Sequence, residues 1–388
     1  MNVLLNSGSF VKNHVLINGD QNSVQAPRAR ALFHSDQSIF SFKSQGRIQS
    51  IPKFWKALSQ QTSQRIYCID LGFPQALLAA LRKKTSRTDA QLIFEIGDPM
   101  VPLLSGQGRS RFELAVAGWM DKLLPRSADA LVFRGSYLYD YFQKLHPQRP
   151  LPPSLWLPDG VDVSCFKPLK GDPRVSQLRS KVGLTDQFVV GLVGNIHHNW
   201  IHDLYYGWEL VEALSRMPDS SKITAVIVGD GPGRAVLESA VAQRRMTEKF
   251  RIIGRVPHSD VPLWMNVFDV AISTQTDDPV GWGRTTAKLP EYLACGLPVV
   301  CSDVGEAHRL LAQTGQTLPY RGIKDHTYPE KLAQRLLELS QMPLDEYRQL
   351  NRTLAMNQFQ FQVLRERLAH FLELVENNQL KSGDFLMD

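Results

Sequence analysis

DDPVGWGRTTAKLPEYLACGLPVVCSDVGE, residues 277–306, decides how this chain is read. It opens on a loop bearing Gly, Thr and Arg. The spacing of the residues that follow predicts a helix starting near Thr285–Leu289 and running through Glu291 to Ala294. Gly296 supplies the stop, and Pro298-Val299-Val300 begins a buried strand. Arg284 and Lys288 fall at the helix start, where free backbone amides and the helix dipole already favour an anion. A diphosphate fits two cations at such a place. Glu291, one turn further on, is placed to accept hydrogen bonds from ribose hydroxyls. The alternative is a solvated basic cap with Glu291 in a local salt bridge.

Outward from this stretch, the same rhythm of short apolar runs and amphipathic segments continues in both directions. FVVGLVGNI (188–196), ITAVIVGDG (223–231), FRIIGRV (250–256), VAISTQ (270–275) and PVVCSD (298–303) read as strands. LYYGWELVEALSRM (204–217) and RAVLESAVAQRRM (234–246) read as helices between them. In the first half, HVLING (14–19), IYCIDL (66–71), LIFEIG (92–97) and ALVFRG (130–135) read as strands, and residues 74–84 and 112–128 as helices. Strand, helix and strand in series imply parallel sheets with right-handed crossovers. HPQRPLPPSLWLPDG (146–160), with five prolines, breaks the pattern. An inter-domain linker is therefore expected in 160–185. The expected organisation is an amino-terminal Rossmann-like domain over 1–165 and a second over 166–360. A carboxyl-terminal helix over 361–388 is expected to pack back on the first domain. In such α/β domains ligands sit beyond the carboxyl ends of the strands. The turns GLVGN, IVGDGPG and IIGRV carry glycines there, though neither a P-loop nor a full dinucleotide fingerprint is present.

The 388 residues are enough for two cores. The net charge of +6 favours anionic partners, but no arm of consecutive basic residues occurs, so nucleic acid is not an expected partner. Cys68, Cys165, Cys295 and Cys301 form no C-x-x-C pair and have no neighbouring His cluster, which argues against zinc or a disulfide framework. No run approaches the roughly 18 apolar residues of a membrane span, and no secretory signal is read at the start. The expected location is cytoplasmic, with peripheral attachment to an anionic inner membrane face open through residues such as Trp55 and Trp119.

KLPEYLACGLPVV (288–300) resembles the K-L-x-E-Y-x-A-x-G-x-P-V-V pattern of retaining GT-B glycosyltransferases, glycosyltransferase family 4, also called group 1. Further matches keep the family's order. WLPDGVDVSCFKP (156–168) looks like its interdomain segment, VVGLVGNI (189–196) like the first strand of its second domain, and VIVGDGP (226–232) like its G-x-G-P turn. IIGRVPHSDVPLWMNVFDVAIS (252–273) follows, and in the first half EIGDP (95–99) and RSADALVFRGSYLYDYF (126–142) are similar to acceptor-side segments. The resemblance implies two Rossmann-like domains facing a cleft, and transfer of a sugar from a nucleotide-diphospho-sugar to a glycan, lipid-linked or small-molecule acceptor with retention of configuration. It implies no cofactor and no metal. It places Glu291 on the ribose, Arg255 and Val256 at the nucleobase, and Arg284 and Lys288 on the diphosphate. Asn195, Gly229 and Leu289 join the donor-binding group. Asp98 faces the donor sugar or the acceptor hydroxyl, and with Arg284 and Lys288 makes up the expected catalytic set.

The chain departs from the family at two places. Gly283 stands where a first glutamate is usual, and the loop GNIHHNWIHD has Asn195 and Trp200 where Arg and Lys are usual. His197, His198 and His202 in that loop either supply part of the missing charge or serve packing. In the first domain NGDQNSVQAPRARAL (18–32) is expected to replace a Gly-rich loop, with Arg28 and Arg30 facing the cleft. The rival functions are a catalytically inactive nucleotide-sugar-binding protein and a nucleotide-sugar epimerase on the same fold.

Overall fold

The computed structural model describes residues 13–18, 23, 25–33, 38–42, 51–52, 55, 65–70, 75–85, 90–218, 220–284 and 286–387. The chain divides into two compact units. Unit 1 comprises Met1–Ser105, Arg109–Pro158 and Phe361–Asp388, and unit 2 comprises Gly106–Gly108 and Asp159–Gln360. The chain thus crosses between units after Pro158. The expected 160–185 linker is instead part of unit 2 and holds the helix Pro173–Lys181, with Asp172 as its N-cap and a proline at its start.

Unit 1 is built on β1 (Asn13–Ile17), β2 (Ser38–Phe42), β3 (Arg65–Ile69), β4 (Gln91–Ile96), β5 (Ala130–Phe133), β6 (Ser154–Trp156) and, in this numbering, the late strand β15 (Phe385–Leu386). All pair in parallel, in the order β15-β6-β5-β4-β3-β1-β2. Alternation along each strand makes two cores. Leu16, Ile66, Cys68, Leu92, Phe94, Leu131 and Phe133 face the helices Gln75–Thr85, Arg111–Ser127 and Ser136–Leu145. Val15, Ile17, Tyr67, Ile69, Ile93 and Val132 face the other way, where the helix Phe361–Glu376 buries Leu364, Leu368, Phe371, Leu372 and Val375.

Unit 2 carries β7 (Phe188–Val193), β10 (Ile223–Val228), β11 (Phe250–Gly254), β12 (Val270–Ser273), β13 (Val299–Ser302) and β14 (Thr317–Leu318), all parallel, in the order β11-β10-β7-β12-β13-β14. A small antiparallel hairpin, β8 (His198–Asn199) and β9 (Leu204–Tyr205), follows β7. It takes up the start of the helix expected over 204–217. That helix begins only at Trp208, after Gly207 turns the backbone at φ +88°. The sheet is buried on both faces: Val190, Leu192, Ala225, Ile227 and Ile272 on one, Val189, Val193, Val226, Val228 and Ala271 on the other.

Candidate functional site

The strand order of unit 2 fixes where a ligand fits. From β7 the chain runs outward through β10 and β11, then returns to the other side of β7 and runs through β12, β13 and β14. The order therefore reverses between β7 and β12, and a crevice opens at the carboxyl ends of the two strands flanking such a switch. The hydrogen bonds show where the two strands part. β7 and β12 pair only at Val190–Val270 and Gly191–Ala271. Beyond them Val193 turns its N–H and C=O toward a strand that is no longer there. Two tyrosine hydroxyls take the strand's place. Val193 donates its N–H to the Tyr292 hydroxyl at 2.7 Å, and the Tyr206 hydroxyl donates to the Val193 carbonyl at 2.9 Å. Both rings are held in the fold, and burial pushes both phenols well up.

Tyr292 belongs to the helix Lys288–Ala294, directly after Glu291, so this hydrogen bond ties that helix to the carboxyl end of β7. The helix starts at Lys288, within the expected window, and Gly296 closes it at φ +71° with Leu297 donating back to Tyr292. Lys288 Nζ lies 2.6 Å from Glu291 Oε2. Glu291 is 8% exposed, and burial raises its carboxyl above the usual range. Lys288 and then His258 oppose that rise, and Asp159 adds to it. The local salt bridge that the sequence left open is thus present.

The turns after the neighbouring strands pack backbone to backbone. Gly229 donates to Gly254 at 2.9 Å, and a Cβ at Gly229 would lie 1.8 Å from the Gly194 carbonyl oxygen. A Cβ at Gly231 would lie 2.4 Å from Asn195 Oδ1. Asn195, Gly229 and the Arg255–Val256 turn that follows Gly254 therefore form one rim above β7, β10 and β11, with Asn195 exposed. Arg234 reaches this rim too, its guanidinium 3.0 Å from where a Gly254 Cβ would stand, and it pairs with Asp230 and Glu238.

Other expected positions have different roles. Leu289 is a core residue whose amide already donates to Thr286. Arg284 is half-buried beyond the short helix Pro279–Trp282, and Gly283 caps that helix. Thr285 lies outside the described residues. Trp200 stands at the tip of the β8–β9 hairpin, 75% exposed, with its ring centroid 3.8 Å from that of His198. The His198 imidazole is packed there and reaches Asp203, whereas His197 is exposed against Tyr206.

In unit 1, Asp98 is half-buried on the turn after β4. It sits by a group of buried charges. Asp70, at the end of β3 with φ +49°, pairs with Arg134 at the end of β5 and accepts from the Gly97 amide at 3.0 Å. Burial raises the Asp70 carboxyl, Arg134 opposes this, and Glu95 and Asp98 add to it. Arg28 was expected to face the cleft. It is buried, donates to Glu95 at 2.7 Å and to the carbonyls of Leu157 and Pro158, and so is a structural cation. Arg30 is exposed on the same helix, and residues 19–22 and 24 of the expected loop lie outside the described residues. Among the described residues no group of three or more His, Cys, Asp or Glu is arranged to hold a metal ion, and no helix is long and apolar enough to cross a membrane.

Sequence reasoning missed Tyr206, Tyr292, His258 and Asp159. The tyrosines carried a usable signal: Tyr206, in the turn before the helix at Trp208, and Tyr292, on the helix Lys288–Ala294, each lie in a segment that follows a strand flanking the switch.

Comparison with known proteins adds a family match over part of the chain. The family model Glycosyl transferases group 1 matches residues 187–342. The 2-deoxystreptamine glucosyltransferase of Streptomyces kanamyceticus is 31% identical over 167 residues, 41% of this chain and 41% of that protein. The alpha-monoglucosyldiacylglycerol synthase of Acholeplasma laidlawii is 29% identical over 147 residues, 37% of this chain and 34% of that one. The chain thus spans about two fifths of the length of the first curated relative it matches. Among solved structures, HepE of Anabaena in complex with UDP aligns with a TM-score of 0.73 at 17% identity, covering 93% of this chain and 99% of that one. Sucrose-phosphate synthase of Thermosynechococcus elongatus aligns with a TM-score of 0.72 at 14% identity, covering 95% and 100%. By fold the chain is a GT-B protein of two Rossmann-like α/β units, and its residues 187–342 match the Glycosyl transferases group 1 family model.

Proposed function

We propose that this chain is a glycosyltransferase that moves a sugar from a nucleotide-diphospho-sugar to an acceptor hydroxyl with retention of configuration. The observation that carries the reading is the parting of β7 and β12 below Val193, with Lys288 and Glu291 on the helix that Tyr292 ties to that point. In this reading Lys288 and Arg284 meet the diphosphate, and Lys288 leaves Glu291 to do so. Glu291 then accepts from ribose hydroxyls. The rim of Asn195, Gly229, Arg255 and Val256 packs on the nucleobase, and Leu289 contributes by shaping the core beneath. Asp98 positions the acceptor. The bond from the sugar's anomeric carbon to the phosphate oxygen breaks as the acceptor oxygen bonds the same face. The acceptor's proton passes to the departing phosphate. The cations stabilise the charge that develops on the diphosphate, so the reading requires neither a bound metal nor a cofactor.

UDP-sugars are the first donors to test, because the HepE structures hold UDP and UDP-glucose. The relatives' names span a small-molecule and a lipid product, so a glycan, lipid-linked or small-molecule acceptor fits. The reaction is placed on the cytoplasmic side of a membrane or free in the cytoplasm. A thermal-shift screen of UDP, GDP, ADP and their sugars tests the donor. A ligand at about 100 times its dissociation constant adds roughly 2.7 kcal/mol. Loss of both the shift and transfer in Glu291→Ala and Lys288→Ala supports the reading. A second reading, nucleotide-sugar binding without transfer, is favoured by Gly283, Asn195 and Trp200 at positions where the family usually carries charge. Binding with no turnover across a broad acceptor panel would establish it.

A further inference from the structure

The helix Arg111–Ser127 of unit 1 has two apolar faces, and the core uses only one. Ala117, Met120, Leu124 and Pro125 are buried beneath it. On the outside, Phe112, Trp119 and Leu123 recur at i, i+7 and i+11, the spacing of a single stripe on a helix, and Val116 at the inner edge of that stripe packs against the core. Phe112 is 77% exposed and Trp119 49%, and Val116 and Leu123 are half-buried between them. An ordinary surface helix puts polar residues there.

The charges of this helix are sorted. Arg111, Lys122 and Arg126 are all exposed and run along one edge of the stripe. Its two acids are engaged elsewhere. Glu113 closes the capping box with Ser110 and lies 3.8 Å from Arg109. Asp121 is buried, accepts from the Val101 amide and the Tyr141 hydroxyl at 3.3 Å each, and burial pushes its carboxyl up to about 6. The outer edge is therefore cationic throughout.

Val101, held against Gly118 and Asp121, brings a second apolar element alongside. The short helix Met100–Gly106 buries none of its residues, although Met100, Val101, Pro102, Leu103 and Leu104 are apolar. Gly118 and Asp121 lie on the side of the longer helix beyond the cationic edge. The cations thus run between two apolar strips. Aromatic and aliphatic groups flanking a row of Arg and Lys are suited to the boundary between lipid headgroups and acyl chains, where the rings enter and the cations meet phosphates.

We propose that this face of unit 1 docks on an anionic lipid surface, with Phe112 and Trp119 inserted and Arg111, Lys122 and Arg126 on the headgroups. The face holds no part of the donor crevice, and docking is measured without donor or acceptor, so its outcome is independent of the transfer reaction.

The full chain is sedimented with phosphatidylcholine vesicles with and without phosphatidylglycerol. The expected result is binding only to the anionic vesicles, weakening as salt rises. Phe112→Ser with Trp119→Ser lowers partitioning at least about tenfold, and each cation neutralised at Lys122 or Arg126 lowers it about fivefold. These side chains lie outside the core, so the variants keep the wild-type melting temperature, which is measured alongside. Failure of the wild type to bind anionic vesicles overturns the proposal, as does binding that survives both sets of substitutions. Concentration-dependent dimers that Phe112→Ser dissolves, without lipid binding, would assign the face to a second copy of the chain instead.

Discussion

Deleting one oxygen atom tests the account of the crevice. In Tyr292→Phe the ring stays in the core and only the hydroxyl that accepts from Val193 is lost. Val193 is buried and its side of β7 has passed the last pairing with β12, so no other acceptor replaces the hydroxyl. A buried donor left unsatisfied costs about 1–3 kcal/mol. For a unit of this size each kcal/mol lowers Tm by about 2–4 °C, so the variant should melt about 2–12 °C lower. Tyr206→Phe removes the donor to the carbonyl of the same residue. An under-satisfied carbonyl is better tolerated than an orphaned N–H, and the cost there should be only about 0.5–1.5 kcal/mol. Urea denaturation followed by fluorescence gives both values, and nucleotide affinity follows from the thermal-shift titration. Tyr292→Phe should also weaken nucleotide binding, because it loosens the helix carrying Lys288 and Glu291 from the carboxyl end of β7. If Tyr292→Phe is as stable as the wild type, or Tyr206→Phe is the costlier change, the two hydroxyls are not what completes the strand.

Three further outcomes are expected. Gly97→Ala would place a Cβ 1.6 Å from the Arg134 guanidinium, forcing that side chain off Asp70. It should destabilise unit 1 by about 1–3 kcal/mol, read from a urea melt. Glu209 is buried and its carboxyl is pushed up to about 7, chiefly by desolvation. Its folded form holds a proton that the unfolded chain releases above its ordinary value of 4.5. Stability should therefore fall as pH rises from about 4.5 to about 7, and Glu209→Gln should flatten that part of the urea-midpoint profile. Lys288→Met leaves the buried Glu291 carboxylate without its cation, so Glu291 should protonate at higher pH than in the wild type. The variant should lose stability on going from pH 5 to pH 8 more steeply than the wild type does, as followed by Tm.

The regular strands were legible because each is a short β-branched run with both faces buried, as at Ile223–Val228. What escaped has no local cause. Ser154–Trp156 lies in a proline-rich stretch and becomes a strand because its partners are β5 and residues 385–386. The helix Pro173–Lys181 had its Asp-Pro start in plain view, yet only Val175 and Leu178 mark its inner face, half-buried on the core of unit 2, so its apolar signal is short and weak. The same division runs through the site. Lys288 and Glu291 are neighbours on one helix, and their pairing was readable from spacing alone. The roles of Tyr206 and Tyr292 depend on where β7 and β12 part, which is a property of strand order. Arg28 was misplaced because its partner Glu95 is 67 residues away.

The split of unit 1 across the sequence has a consequence for biogenesis. Unit 2 runs almost unbroken from Asp159 to Gln360, whereas unit 1 takes its last edge strand and the helix over one of its cores from Phe361 onward. As the ribosome delivers the chain from the amino end, the later unit has all it needs before the earlier one does. The nascent first sheet must wait, with Tyr67, Ile93 and Leu155 uncovered, through the synthesis of the whole second unit. A pause or a stop codon near Gln360 would thus harm the half of the molecule made first, and a holdase is expected to be found on that half.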